Sequence, residues 1–398
     1  MWTYFKFELM QFFKNRKNIA IYALLLFVAL FYAIRIAPAY DPIEKIDVDK
    51  IEARYLTRDA FIQEMSNRDL STVHGSALAG LSIFEMVNPH DLHRLEALES
   101  GNLHKYATAT SEWYYVTNGF TYFNENFSYP AGYYKYGNEY SEDDGLYAYL
   151  ESGKRYGEFA NADYELSINL FEQRTAWQTV ERLMKGALPI TLIVCVLLLA
   201  VEIVIKDRLH PTLLKGFPIA DWKKLIIKGV VILIGSFILF VPLSAGFLII
   251  GVQAGFGHFQ IPVPIFTHDV WVFDVMSLGV FLAKCLQLLV LWFIMIIEVV
   301  LLCSVVLRNE MINLGIGLIV IFAEYFYFNR GVGFQWAIEN YPTSYIHVGQ
   351  IVSKMRNFYY SSVNMSTVLG MKLLAISIVV MLVITLCISL NKRFKLVR

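Results

Sequence analysis

The sequence predicts an α-helical polytopic membrane protein, with six transmembrane helices and a large extracytoplasmic domain between the first and second. Three observations predict it. The 398-residue chain is 56% hydrophobic, and several apolar runs reach the roughly 20 residues that a helix rising ~1.5 Å per residue needs to cross a ~30 Å hydrocarbon core. Its formal net charge is zero, yet residues 37–185 hold 24 acidic and 13 basic side chains, a net of −11 that leaves +11 elsewhere. The stretch 206–228, KDRLHPTLLKGFPIADWKKLIIK, sets six Lys/Arg against two Asp between two apolar runs. By the positive-inside rule it faces the cytoplasm and orients every other segment.

Residues 1–17 place Trp2, Phe5, Leu9 and Phe12 at helical spacing, with Lys6, Glu8, Gln11 and Lys14 on other faces. That pattern predicts an amphipathic helix lying in the cytoplasmic interface, its aromatics in the acyl boundary and its basic end near anionic headgroups. The first span covers 18–36. A cleaved signal peptide competes there, because Ala37-Pro38-Ala39 follows charge and an apolar run; the aromatic-rich helix ahead of the run is unlike a short n-region.

Residues 37–185 contain no run apolar enough to span, so they form the water-exposed domain. Charged helical patterns open it at 43–67 and close it at 165–185. Asn88-Pro89-His90-Asp91 reads as a helix start, with Asn as cap and Pro in the first turn. The stretch 113–149 packs tyrosines among Gly, Asn and Pro, which predicts turns and short strands. These rings either build the domain's core or offer flat, hydroxyl-tipped faces for a peptide or sugar; a domain without disulfides needs such a core.

Spans two to six fall within 188–390: about 188–205, 229–252, 278–307, 311–328 and 371–390. The loop 253–277 has no Lys or Arg, as an external loop should. Residues 329–370 are polar enough to lie outside, with 345–358 an amphipathic helix at the interface. The basic tail 391–398 returns to the cytoplasm. Both termini are then cytoplasmic, and the protein is multi-pass in the cell membrane.

The pattern G-x-x-x-x-G-K-[ST] is absent, as are H-E-x-x-H, G-x-S-x-G and paired-cysteine metal spacing. The chain is therefore expected to be no enzyme, and to need no cofactor, metal or nucleic acid. His90, His93 and His104 sit in an acidic helical region and read as solvated side chains. Cys195, Cys285, Cys303 and Cys387 fall in predicted spans and read as small packing residues. Ionisable groups inside spans carry more weight, since each costs free energy unless paired or wetted. Glu298, mid-way along the fourth span, is the leading candidate for a functional carboxylate; Lys284 and Glu324 are placed to pair with each other, and Glu202 to reach the inner interface beside Lys206.

The basic loop then becomes specific. Asp207-Arg208, Thr212-Leu213, Pro218-Ile219 and the Asp221-Trp222-Lys223-Lys224 end, following a second span, resemble the loop of ABC-2 type transporter permeases, with Pro211 where glycine is commoner. The amphipathic start, the six spans and Tyr341-Pro342 before a short helix extend the likeness over about 250 residues of the membrane part. The resemblance implies the permease subunit of an ABC exporter, paired with a second permease copy as a homo- or heterodimer and bound to a separate ABC ATPase. It implies that Thr212, Leu213, Leu214, Phe217, Pro218, Ile219 and Trp222 form the coupling element gripped by that ATPase. The cargo class is a peptide, a lipid-like compound or an antibiotic. The rival reading is a membrane-anchored sensor or binding protein whose extracytoplasmic domain detects a ligand.

Overall fold

The computed structural model describes residues 1–398 except 44, 124–126, 136, 207–216, 218, 270, 329, 331–336 and 391–398. In chain order its principal helices begin with α1 (Trp2–Lys14), α2 (Arg16–Phe31), α3 (Val48–Ser66), α4 (Gly75–Glu99), α5 (Leu103–Tyr122) and α6 (Ser141–Phe159). There follow α7 (Ile168–Phe171), α8 (Ala176–Lys185), α9 (Leu188–Ala200), α10 (Asp221–Ile238) and α11 (Phe240–Ala254). A hairpin of β1 (Pro262–Phe266) and β2 (Phe273–Ser277) precedes α12 (Leu278–Val306), α13 (Glu310–Ile321) and α14 (Glu324–Tyr327). The last are α15 (Val348–Val352), α16 (Met355–Tyr360) and α17 (Thr367–Leu390). Two compact units result: Met1–Ala39 with Thr179–Phe256 and Gly279–Arg398, and Tyr40–Gln178 with Gly257–Leu278.

The first unit carries the long apolar helices expected of a membrane-embedded protein. Four helical stretches are long and apolar enough to cross: Arg16–Ile36, Asp221–Ala254, Leu278–Val306 and Thr367–Leu390. A fifth exists if Ile168–Lys185 and Leu188–Ala200, bent by 70°, are taken together. Among the described residues four or five such stretches therefore stand where six spans are expected, and the departures have local causes. The third crossing starts at Asp221 and breaks at Leu239, because Pro242 lacks an N–H and its ring crowds the carbonyl of Ile238. The stretch expected as span five is regular for only 12 residues, Glu310–Ile321, then turns at Phe322 and Ala323 so that Glu324 enters a buried polar cluster.

Packing in this unit depends on close backbone approach. A Cβ at Gly246 would lie 2.7 Å from the Ala29 carbonyl oxygen, so α2 and α11 touch main chain to main chain. Gly317 instead receives a side chain, that of Leu197 of α9. α12 supplies much of the core, including Phe281, Leu288, Trp292 and Phe293, and Trp292 Nε1 donates to the Tyr345 carbonyl at 2.9 Å. The segment expected as an amphipathic helix over 345–358 is instead two short helices with Tyr345, Val348, Ile351 and Tyr360 fully buried.

The second unit is a stack of α3 on α4, α4 on α5 and α5 on α6, with α6 against the hairpin. Asp47 caps α3 by accepting from the Lys50 N–H at 3.1 Å, and Asn102 caps α5 through Lys105 at 3.0 Å. The Asn88-Pro89 start does not occur: Pro89 lies inside α4, exposed. Nor do the described residues of 113–149 form strands; the stretch is helical over most of its length. Of its tyrosines, Tyr114, Tyr129, Tyr133, Tyr147 and Tyr149 are buried, joined in the core by Tyr106 and Tyr156, whereas Tyr115 and Tyr122 are exposed. Tyr129 donates to Asn118 Oδ1 at 2.7 Å, and its ring occupies the place a Cβ on Gly145 would take. Burial pushes the Tyr129 phenol well above its usual range. The hairpin belongs to this unit too, pairing Pro262 with Ser277 through Phe266 with Phe273; Tyr147 packs edge-on to Phe273 at 5.1 Å.

Candidate functional site

Of the coupling residues, Thr212, Leu213, Leu214 and Pro218 lie outside the described residues, as does the basic tail 391–398. Phe217, Ile219 and Trp222 are half-buried. Phe217 meets α1 directly, its ring 5.2 Å from Tyr4 and 5.4 Å from Phe7. Trp222 lies in the first turn of α10 with the Lys223 ammonium 5.2 Å from its ring.

The helices on either side of the loop are fastened to α1. Lys228 of α10 is fully buried, and its ammonium donates to Glu8 Oε1 at 2.9 Å and to the Ile203 carbonyl at 2.9 Å. Glu8 is itself 2% exposed. So the chain entering the loop, the chain leaving it and the N-terminal helix meet at one ammonium. The face that α1 buries is Tyr4, Glu8 and Phe12, an i, i+4, i+8 stripe that shares only Phe12 with the stripe expected to lie in the interface; Trp2 of that expected stripe is 67% exposed. Phe12 fits where a Cβ on Gly235 would be 2.3 Å from its ring, and Tyr22 donates to the Gly235 carbonyl at 2.9 Å.

A second layer of charge surrounds this tie. Lys17 Nζ donates to the Leu198 carbonyl at 2.7 Å and stands 3.2 Å from Glu202, which also accepts from Asn15 Nδ2 at 3.2 Å. Lys206 is 4.0 Å from the same carboxylate. Glu8, Asn15, Asn18, Glu202 and Lys206 are among the residues lining a cavity of about 20 Å³, room for about one water. Glu202 is therefore a shared anchor for α2 and the loop entrance, beyond reaching Lys206.

Glu324 is also placed, with partners other than Lys284. His347 Nε2 is 2.9 Å from Glu324 Oε2, Arg356 Nη1 is 2.9 Å from Oε1, and the Tyr360 hydroxyl donates to Oε1. All four side chains are buried. The Arg356 guanidinium also lies over the rings of Phe328, Tyr359 and Tyr360, so the cation is held by carboxylate and π-faces together. Lys284 is half-buried on α12. Glu298 is half-buried, and its Oε2 is enclosed without a hydrogen-bond partner among the described residues.

In the second unit, His90 Nδ1 faces Glu112 at 3.2 Å, His93 is exposed and His104 bonds the Ala160 carbonyl. No group of His, Cys, Asp or Glu suited to a metal is found among the described residues. The unit's densest charge cluster is one that sequence reasoning did not single out: Arg54, Arg58 and Arg94 around Asp91. Asp91 was visible only as a charge near a supposed helix start. The i, i+4 spacing of Arg54 and Arg58 was the available signal, since it puts both guanidiniums on one helix face. Comparison with protein-family models, with curated proteins and with solved structures finds no match to this chain.

Proposed function

We propose that the chain is the permease subunit of an ATP-driven exporter, moving a peptide, lipid-like or antibiotic cargo outward with a separate ATPase seated on 212–224. The observation that carries this reading is the buried Lys228 junction. A loop that is to pass force into a membrane must be rigidly joined to the helices on both sides, and Lys228 ties the entering chain, the leaving chain and α1 at one point. Displacement of the loop then moves α10 and α1 together, and α2 through Asn15, Lys17 and Glu202. A second permease copy completes the pathway, and both termini lie in the cytoplasm with the second unit outside.

The experiment is purification of the tagged chain from its native membrane in mild detergent, with mass spectrometry of what accompanies it. A phosphate-loop ATPase is expected, and Leu213→Asp or Pro218→Asp is expected to release it while membrane insertion is unchanged. Retention of the ATPase by both variants overturns the coupling assignment. Recovery of a sensor kinase with no ATPase moves the protein to the ligand-sensing class.

A further inference from the structure

The second unit carries an excess of positive charge at one spot although its charge as a whole is acidic. Asp91, fully buried on α4, receives Arg54 through Nε at 2.8 Å and through Nη2, Arg58 through Nη1 at 3.0 Å, and Arg94 through Nη1 at 3.2 Å. Three guanidiniums against one carboxylate leave a net of +2. The aromatic bed is shared: Arg54 lies 4.9 Å and Arg94 5.0 Å from the Trp113 ring centre, and Arg58 lies 5.5 Å from that of Phe84.

A carboxylate offers about four acceptor positions and each guanidinium five donors, so Asp91 is saturated while the arginines are not. Arg94 Nε and Trp113 Nε1 are enclosed with no acceptor among the described residues, in side chains one of which lies over the other. Arg94 as a residue is 9% exposed. Among the described residues no acceptor meets Nε or Nη2 of Arg58, whose side chain, like that of Arg54, is 20–30% open to solvent. Burial, reinforced by the neighbouring Arg54 charge, disfavours the charged Arg58 despite the opposing pull of Asp91. Orphan donors, unspent charge and a solvent-reached edge all call for the same thing, an acceptor of negative charge. Planar guanidiniums on a fixed bed suit a two-oxygen face.

We propose that Arg54, Arg58 and Arg94, fastened by Asp91 and seated on Trp113, form a binding site for a phosphate or carboxylate oxyanion. Asp91 is the positioning residue. It aligns the three forks and leaves the outer donors of Arg54 and Arg58 to the ligand. The proposal is independent of the transport reading, since a sensor would use the same site.

The test uses the full chain in neutral detergent, titrated with inorganic phosphate or acetate at ionic strength held constant with sodium chloride, and read by thermal unfolding and calorimetry. Saturable stabilisation by phosphate or acetate is expected, with Arg58→Gln raising the half-saturating concentration about tenfold or more, the loss of one charged hydrogen bond. Should Arg58→Gln not fold, Arg58→Lys, which keeps the charge and loses the fork, is expected to weaken binding several-fold. No saturable response to either anion, or unchanged half-saturation in the folded variant, overturns the site. Two nanodisc compositions identify the source: a phosphate response abolished in phosphatidylglycerol discs but kept in phosphatidylcholine discs assigns a lipid headgroup, and one kept in both assigns a soluble anion.

Discussion

At the scale of single residues, the buried ion pairs are places where one substitution is costly. Removing one partner of such a pair strands a charge, at a cost of about 3 kcal/mol or more, whereas replacing both with apolar groups is close to neutral. Lys228→Met is accordingly expected to lower the thermal midpoint sharply, and Glu8→Met/Lys228→Met to regain most of it; a double variant no better than the single would show that the Ile203 carbonyl, not Glu8, is the essential partner. Glu324→Gln keeps the shape and loses the charge that Arg356 and His347 face. It is expected to destabilise by a similar amount, with partial recovery in Glu324→Gln/Arg356→Met. These partnerships were only half legible. Hydropathy marked Glu324 and Lys284 as ionisable groups in apolar runs, but the true partners of Glu324 are 23 and 32 residues further on, in a segment that reads as a surface helix. Glu8 and Lys228 are 220 residues apart, and nothing local to either announces the other.

At the scale of elements, glycine and proline positions separate helices that merely exist from helices that must touch. Pro89 is exposed in the interior of α4, where it removes a helix hydrogen bond. Pro89→Ala is expected to stabilise the second unit by about 1 to 3 kcal/mol, measured as a rise in its unfolding midpoint. Gly80, in the same helix, has open space where a Cβ would go, whereas a Cβ at Gly349 would lie 2.4 Å from the Met184 carbonyl oxygen. Gly80→Ala should therefore gain about 0.5 to 1 kcal/mol and Gly349→Ala lose about 2 kcal/mol or more. Opposite signs in thermal unfolding check the pair, and equal signs would refute the close approach. Charged periodicity located α3 but not α5 or α6, which overlap the stretch that reads as turns and short strands, and it supplies none of these distinctions. Tyr and Thr in 103–122 lean towards strand, and tertiary packing of the rings on α6 overrides that preference.

At the scale of the whole molecule, the apolar and acidic segments of the sequence correspond to the two compact units, because hydropathy and charge are summed over many residues and survive local error. What composition missed is that the hairpin, 257–278, joins the unit formed mainly by 40–178. A loop free of Lys and Arg says which side it prefers and nothing about what it folds against. The Lys228 junction has one further consequence, in the language of chemical reactivity. An ammonium enclosed by its own protein cannot be acylated, whereas Lys6 and Lys14 on the open faces of α1 can. Lys228 is thus a native clock for the N-terminal helix. Its rate of modification by an amine reagent counts how often that helix lifts away, and any agent that drives the loop should make the clock run faster while Lys6 and Lys14 keep time.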